Sequence, residues 1–380
     1  MKHILLLTGL ALLFLSCKRN TGSATQPAFY TWDEFAVGAD LSYVNEIEDA
    51  GGSYKVNGKQ QDVFEIMKSV GVNTVRVRLW HNPAWKQPLN NGKLYSDLYD
   101  VEKTIRRAKQ AGLAVNLDLH YSDTWADPAH QSIPAAWAAA PFEVLKDSVY
   151  QYTLTVLNYM RSKNLVPEMI QIGNETNSGM LWPIGKTDSN EGWKRFTDLL
   201  NSGIKAVKDF SATSTIKPKT ILHVAQLQDA EYWLSQLKAN GIADFDIIGL
   251  SHYYKWSTYA TMESVGKKMD SLQRNYNKKV MIVETAFPFT NNNADSYTNI
   301  LSVENKLENK YEATPVSQAA YISDLVKTIQ QNKGSGMMYW EPAWITSPMK
   351  DLWGRGSAWE NAAWFDFSGN LLNGISFQKR

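Results

Sequence analysis

LYDVEKTIRRAKQAGLAVNLDLHY, residues 98–121, carries two periodicities in one stretch. In its first part Leu98, Val101, Ile105 and Ala108 recur at three- and four-residue spacing, the apolar stripe of an amphipathic helix. Gly112 closes that stripe, as glycine commonly does at helix C-termini. The second part, LAVNLDLHY (113–121), is a short apolar run of the kind that forms a buried strand. The same unit recurs along the chain. Strand-like runs stand at FAVGADLSYV (35–44), NTVRVRLW (73–80), EMIQIGNE (168–175), KTILHVA (219–225), FDIIGLSHYY (245–254), KVMIVETA (279–286) and GMMYWEP (336–342). With 113–121 they number eight. Helical stretches lie between them at 62–71, 98–112, 142–164, 192–210, 230–241 and 316–332, and Gly71, Gly241 and Gly334 close three of these.

Eight strand–helix alternations with buried strands predict an α/β fold, a (β/α)8 TIM barrel forming a single catalytic domain over residues 33–380. Size alone would allow two or three domains, but α/β barrels often run this long as one. An open doubly wound sheet would need a Gly-rich phosphate turn after the first strand. The chain has Gly38-Ala39-Asp40-Leu41-Ser42 there, which does not supply one.

The 39 basic and 38 acidic residues leave a net charge of +1, with no long basic run, so nucleic acid is not an expected partner. A neutral ligand is. The 14 Trp and 18 Tyr exceed what a core needs and suggest flat apolar platforms. The chain reads as a monomer. Its N-terminus reads as a targeting segment: a short basic start (Met1-Lys2-His3), an apolar stretch at 4–15 too short to span a bilayer, then Ser16-Cys17. Cys17 is the sole cysteine and has no intrachain partner. Residues 1–16 are therefore expected to be a lipoprotein signal peptide, with Cys17 lipidated and 17–32 a polar tether. That places the protein in a bacterial cell envelope, held to the membrane through the lipid alone, on either membrane face.

In such barrels chemistry sits at the C-terminal ends of the strands. Those ends carry Arg76 and Arg78, Asp118 and His120, then Asp123 and Trp125, Asn174 and Glu175, His252 and Tyr253, Glu284, and Trp340 with Glu341. Glu175 ends the fourth strand and Glu284 the seventh. Strands three apart on an eight-strand ring face one another across the mouth. Two opposed carboxylates in a neutral, Trp-rich cleft are what glycosidic cleavage needs. Arg76 would keep one of them ionised. Asn174 would bond a sugar hydroxyl, Tyr253 would orient Glu284, and His120 and His252 would donate to Glu or sugar. Trp340 would floor one sugar ring.

The segments GADLS (38–42), GVNTVRVRLWHNP (71–83), NLDLHYSDTWADP (116–128), GNETNSGMLWP (173–183), VETAFPFT (283–290) and YWEPAW (339–344) resemble the endo-β-1,4-galactanases of glycoside hydrolase family 53, within the clan-A barrel glycosidases. The resemblance implies endo-acting, retaining hydrolysis of β-1,4-galactosidic bonds in galactan and type I arabinogalactan. It implies Glu175 as acid/base and Glu284 as nucleophile, with galactan and galactooligosaccharides as partners. Trp80, Asp123, Trp125, Trp182, Trp340 and Trp344 become subsite candidates, and Asp40 a supporting residue. No cofactor is required for the chemistry. Bacterial members often hold a structural calcium just after the nucleophile strand. Here that loop is TNNNADSYTN (290–299), with Asn293, Asp295 and Asn299 as candidate ligands and Ser357 and Glu360 able to close the site. Tyr297 stands where a His ligand is common. Rival readings are a clan-A endo-glycosidase acting on mannan, xylan or glucan, and a lipid-anchored glycan-binding protein without turnover. A metal-dependent hydrolase is disfavoured by six His, none on the first strand.

Overall fold

The structure is a computed structural model that describes residues 34–303 and 310–377. The expected signal peptide, Cys17 and the tether to residue 32 lie outside the described residues. Eight strands form one closed, all-parallel barrel in chain order: β1 Ala36–Asp40, β2 Thr74–Leu79, β3 Ala114–Leu119, β4 Met169–Ile172, β5 Lys219–Ala225, β6 Ile247–Ser251, β7 Lys279–Glu284 and β8 Gly336–Tyr339. Closure is direct, since β1 pairs with both β2 (Gly38 opposite Thr74) and β8 (Gly38 opposite Met338). Each strand lies within an expected run; β5 fills its run and the others are shorter, because the polar rim residues leave the ladder as turns.

Side chains alternate along these strands, with one exception on β7. Outward residues such as Val75, Val77, Ile170, Ile172, Leu222 and Val224 pack in the large core under the helices. Inward residues Ala36, Ala114, Met169, Ile221, Ile247, Met281, Val283 and Met338 form a second apolar cluster that plugs the barrel floor. Gly38 is part of that plug: a Cβ there would lie 2.4 Å from Met338 Cγ. Above the floor the inward positions turn polar (Arg76, Asp118, Gln171, His223), and this layer carries the site. β7 breaks the alternation once. Leu250 lies opposite Ile282, but Ser251 lies opposite Glu284, so Val283 is an extra residue. Such a bulge re-aims the next side chain. Val283 and Glu284, though adjacent, both face the barrel axis and its mouth.

Among the described residues eight α-helices flank the strands: α1 Val44–Asp49, α2 Val63–Ser69, α3 Leu98–Gln110, α4 Phe142–Ser162, α5 Asn190–Thr213, α6 Ala230–Ala239, α7 Met262–Tyr276 and α8 Pro315–Gln331. Two had no counterpart in the periodicity. α1 starts at Val44, inside the first apolar run. α7 buries only Val265, Gly266, Met269 and Leu272, a thin stripe among charged residues. Its start is fixed instead by a capping box between Thr261 and Ser264. Gly71 and Gly112 do end helices in the left-handed region (φ 97° and 78°), but before β8 that position is taken by Lys333 (φ 59°). Gly334 is required for room, since a Cβ there would meet Ile329 Cγ2 at 2.4 Å.

Candidate active site

Arg76 is the hub of the inward polar layer. Its Nη1 bonds Asp40 Oδ2 at 2.7 Å, and its Nη2 reaches Asp118 Oδ2 at 2.7 Å and Glu284 Oε1 at 2.8 Å. Nη2 also meets Asn174 Oδ1 at 2.8 Å. These charges are buried, so they are tolerable only because each is paired. The Tyr253 hydroxyl donates to Glu284 Oε2 at 3.0 Å. Both oxygens of Glu284 are thus held. His120 Nε2 lies 3.0 Å from Asp118 Oδ2, and its Nδ1 accepts from Trp80 Nε1 and the Ala126 amide.

Glu175 sits just past β4 with φ 44°. A non-glycine residue held there is strained, as active-site residues often are. Its Oε1 accepts from Ser251 Oγ at 2.5 Å. One oxygen of Glu175, one oxygen of Glu284 and a ring nitrogen of His223 all lie within 4.8 Å of one another. Burial, and then the Glu284 charge, push Glu175 up to about 8. Burial raises Glu284 to about 7, against the pull of Arg76. The two titrate as a pair, and the contacts with Arg76 and Tyr253 make Glu284 the one that ionises first.

The carboxylates open into a cleft of about 830 Å³ lined by Trp125, Trp256, Trp340, Trp344, Trp353 and Trp359. Trp340 and Trp359 pack at 4.4 Å between centroids, and Trp340 packs on Trp344 at 5.9 Å. Trp256 and Trp353 remain 44% and 54% exposed. Trp256 follows β6 and rests on Tyr253, whereas Trp353 rests on Trp85 of the loop after β2. β6 and β2 are four apart on the ring, so these platforms stand on opposite sides of the mouth. Beneath one wall the Arg78 guanidinium lies over the Tyr43 and Trp125 rings at 4.0 and 4.4 Å and bonds Glu341 at 2.8 Å.

Of the expected residues, Asp40, Arg76, His120, Trp125, Asn174, Glu175, Tyr253, Glu284, Trp340 and Trp344 line the cleft together. Four do not. His252 points away from the mouth into a separate cavity with Tyr259, Thr261 and Tyr311, because alternation turns Ser251 and Tyr253 inward and 252 outward. Only its backbone serves the site, donating to the Glu284 carbonyl at 2.8 Å. Asp123 ties loops instead, accepting from the Asn82 and Ala135 amides. Trp80 is fully buried beneath Trp125. Trp182 bonds the Ser178 carbonyl outside the cleft. Sequence reasoning missed His223, Ser251, Trp353, Trp359 and, after β6, Trp256. His223 lies inside β5, whose end offered no candidate although Ile221-x-His223-x-Ala225 shares one face, and Ser251 is the last residue of β6, just before the His252 and Tyr253 that were read. Trp353 and Trp359 lie beyond β8, where no periodicity marks them.

In the expected calcium loop Asp295 accepts from the Tyr297 amide, the Thr346 hydroxyl and the Ser357 amide. Asn293 and Asn299 bond each other. Burial, with the nearby Asp295, raises Glu360 to about 7. Asn299 Oδ1 and Glu360 Oε2 are left without a hydrogen-bond partner among the described residues. Unpartnered oxygens beside the Asp295 carboxylate are the hard donors calcium takes, and Asp295, Asn299 and Glu360 would hold such an ion.

A closed (β/α)8 barrel with two close carboxylates at the strand ends is the arrangement a glycoside hydrolase needs. The chain belongs to glycosyl hydrolase family 53, whose model matches residues 36–378. It is 42% identical over 356 residues to the arabinogalactan endo-beta-1,4-galactanase of Cellvibrio japonicus, covering 93% of this chain and 91% of that one. The catalytic domain of an Ignisphaera aggregans family 53 protein superposes with a TM-score of 0.81 at 34% identity, over 92% of this chain and 96% of that one. A fungal beta-1,4-galactanase structure gives 0.76 at 32% identity, over 90% of this chain and 97% of that one.

Proposed function

We propose that this chain is an endo-β-1,4-galactanase that cleaves galactan and type I arabinogalactan by double displacement, with retention at the anomeric carbon. The observation that supports the mechanism is that one oxygen of Glu175 and one of Glu284 lie within 4.8 Å of each other, which leaves little room for a water between them. Retaining enzymes place their carboxyls about 5–5.5 Å apart, and inverting ones leave roughly 6.5–9.5 Å for a water. In the first step a Glu284 oxygen bonds the anomeric carbon as the bond to the leaving O4 breaks, and Glu175 gives its proton to that oxygen. In the second, water attacks the glycosyl ester, Glu175 takes the water's proton, and Glu284 departs as carboxylate. Arg76 and Tyr253 favour the charged form of Glu284 before and after.

The choice of galactan rests on the relatives' names, and the endo mode on aromatic platforms at opposite sides of the mouth. Incubation with potato galactan, mannan, xylan and carboxymethylcellulose tests both. Short galactooligosaccharides, β-configured when first released, are expected from galactan alone. Their absence, or α-configured first products, would overturn the reading. We further assign residues 1–16 as a lipoprotein signal peptide and Cys17 as the lipid attachment point.

A further inference from the structure

The backbone and the carboxylate of Glu175 are held by one imidazole, directly and through a hydroxyl. The Glu175 amide donates to His223 Nδ1 at 3.2 Å. A backbone amide can only donate, so Nδ1 carries no proton. Asn174 Oδ1, 3.1 Å from Nδ1, already receives Arg76. Burial, with Arg76 and His120 nearby, holds His223 well below its usual pKa, so the ring is neutral and its proton sits on Nε2. Nε2 lies 2.9 Å from Ser251 Oγ, which therefore accepts. The one hydroxyl hydrogen of Ser251 then goes to Glu175 Oε1, 2.5 Å away. No described residue donates to Oε2, and Glu175 lines the cleft. The other charged groups facing Glu175 are Glu284 from β7, Arg76 from β2 and Asp127 from the loop after β3.

Resting on the acid/base reading of Glu175, we infer that Ser251, its hydroxyl oriented by His223, is a positioning residue that keeps Oε1 an acceptor and so places the transferable proton on Oε2. In the protonated acid Oε1 stays the carbonyl oxygen. In the anion the same hydrogen bond stabilises the charge. One fixed donor therefore serves both halves of the cycle, and the proton faces substrate rather than the protein.

Kinetics of Ser251→Ala test this. Its kcat/KM on galactan should fall about 10–100-fold. Loss of a donor to a carboxylate should also move the alkaline limb up by roughly one pH unit. Dinitrophenyl β-galactobioside leaves without needing a proton, so its kcat/KM should fall at least about tenfold less. Ser251→Thr should restore both limb and rate. The imidazole nitrogen NMR shifts of His223 should report a neutral ring unprotonated at Nδ1. Equal losses on both substrates, an unmoved limb, or a proton on Nδ1 would overturn the proposal. Glu175→Gln separates the two readings. If it abolishes galactan cleavage while Ser251→Ala changes nothing, only the positioning role fails. If it leaves galactan cleavage intact, the acid/base reading fails with it.

Discussion

The Arg76 guanidinium meets the Glu284 carboxylate at 2.8 Å, with side chains 2% and 7% exposed. Arg76 is the cation that offsets burial of Glu284 and of Asp40 and Asp118 as well. Activity requires Glu284 charged, so the acid limb of kcat/KM follows its ionisation. Since burial raises both carboxyls, the optimum should lie near neutrality. Arg76→Met should move the acid limb to higher pH. It also leaves three buried carboxylates without their shared guanidinium and should cost about 3–5 kcal/mol in denaturant unfolding. An acid limb that stays put would remove Arg76 from control of Glu284.

Removing each carboxylate should have a different chemical signature. Glu175→Ala and Glu284→Ala should each lose about 10²–10⁴-fold or more in turnover on galactan. With azide and an activated aryl galactoside, Glu175→Ala should give the β-galactosyl azide, because azide replaces water on the glycosyl-enzyme. Glu284→Ala should give the α-azide, because azide enters the space of the missing carboxylate. The opposite pairing of products would swap the two roles.

Glu175 should also trade stability for function. Its folded pKa is raised by burial to about 8. A carboxyl raised in this way contributes stability that is full below its unfolded value, near 4.5, and is lost as pH rises through the folded value. Glu175→Gln has no such proton to lose. Its Tm advantage over the native enzyme should be absent near pH 4 and grow to roughly a few degrees by pH 8. A constant difference across that range would contradict the linkage.

Trp353 is 54% exposed on the cleft rim and packs on Trp85. It is placed to stack on a sugar away from the reacting bond. Trp353→Ala should raise KM for long galactan about 2–10-fold, the worth of one aromatic contact, with kcat little changed. A fall in kcat at constant KM would place its action at the reacting bond instead.

Cys17→Ala should move the enzyme from the membrane fraction to the soluble one, with turnover on galactan unchanged. Persistence in detergent-extractable membranes would show that another anchor exists.

What was legible beforehand follows from where the physics is local. The eight strands and six helices are written in periodicity, and Glu175 and Glu284 announce themselves as charges ending apolar runs. α7 was hidden because only a narrow stripe of it is buried. His223 was hidden because a polar residue inside a strand reads as noise until its neighbours on the ring are known. Trp353 and Trp359 depend on loop packing across the barrel, which no short window contains. His252 was misread for the opposite reason: its position was right, but the parity of the strand was not applied to it.

That parity also bears on how such a site can be gained or lost. In the extended pairing of β6 with β7, Val283 is the one residue without an opposite number. Loss of that residue would leave Glu284 opposite Ser251 and on the inward phase, since Met281 faces inward and Ile282 outward. What the site would lose is the apolar side chain directly beneath the carboxylate. The aim of the nucleophile would thus survive a one-residue shortening, and the floor that supports it would not.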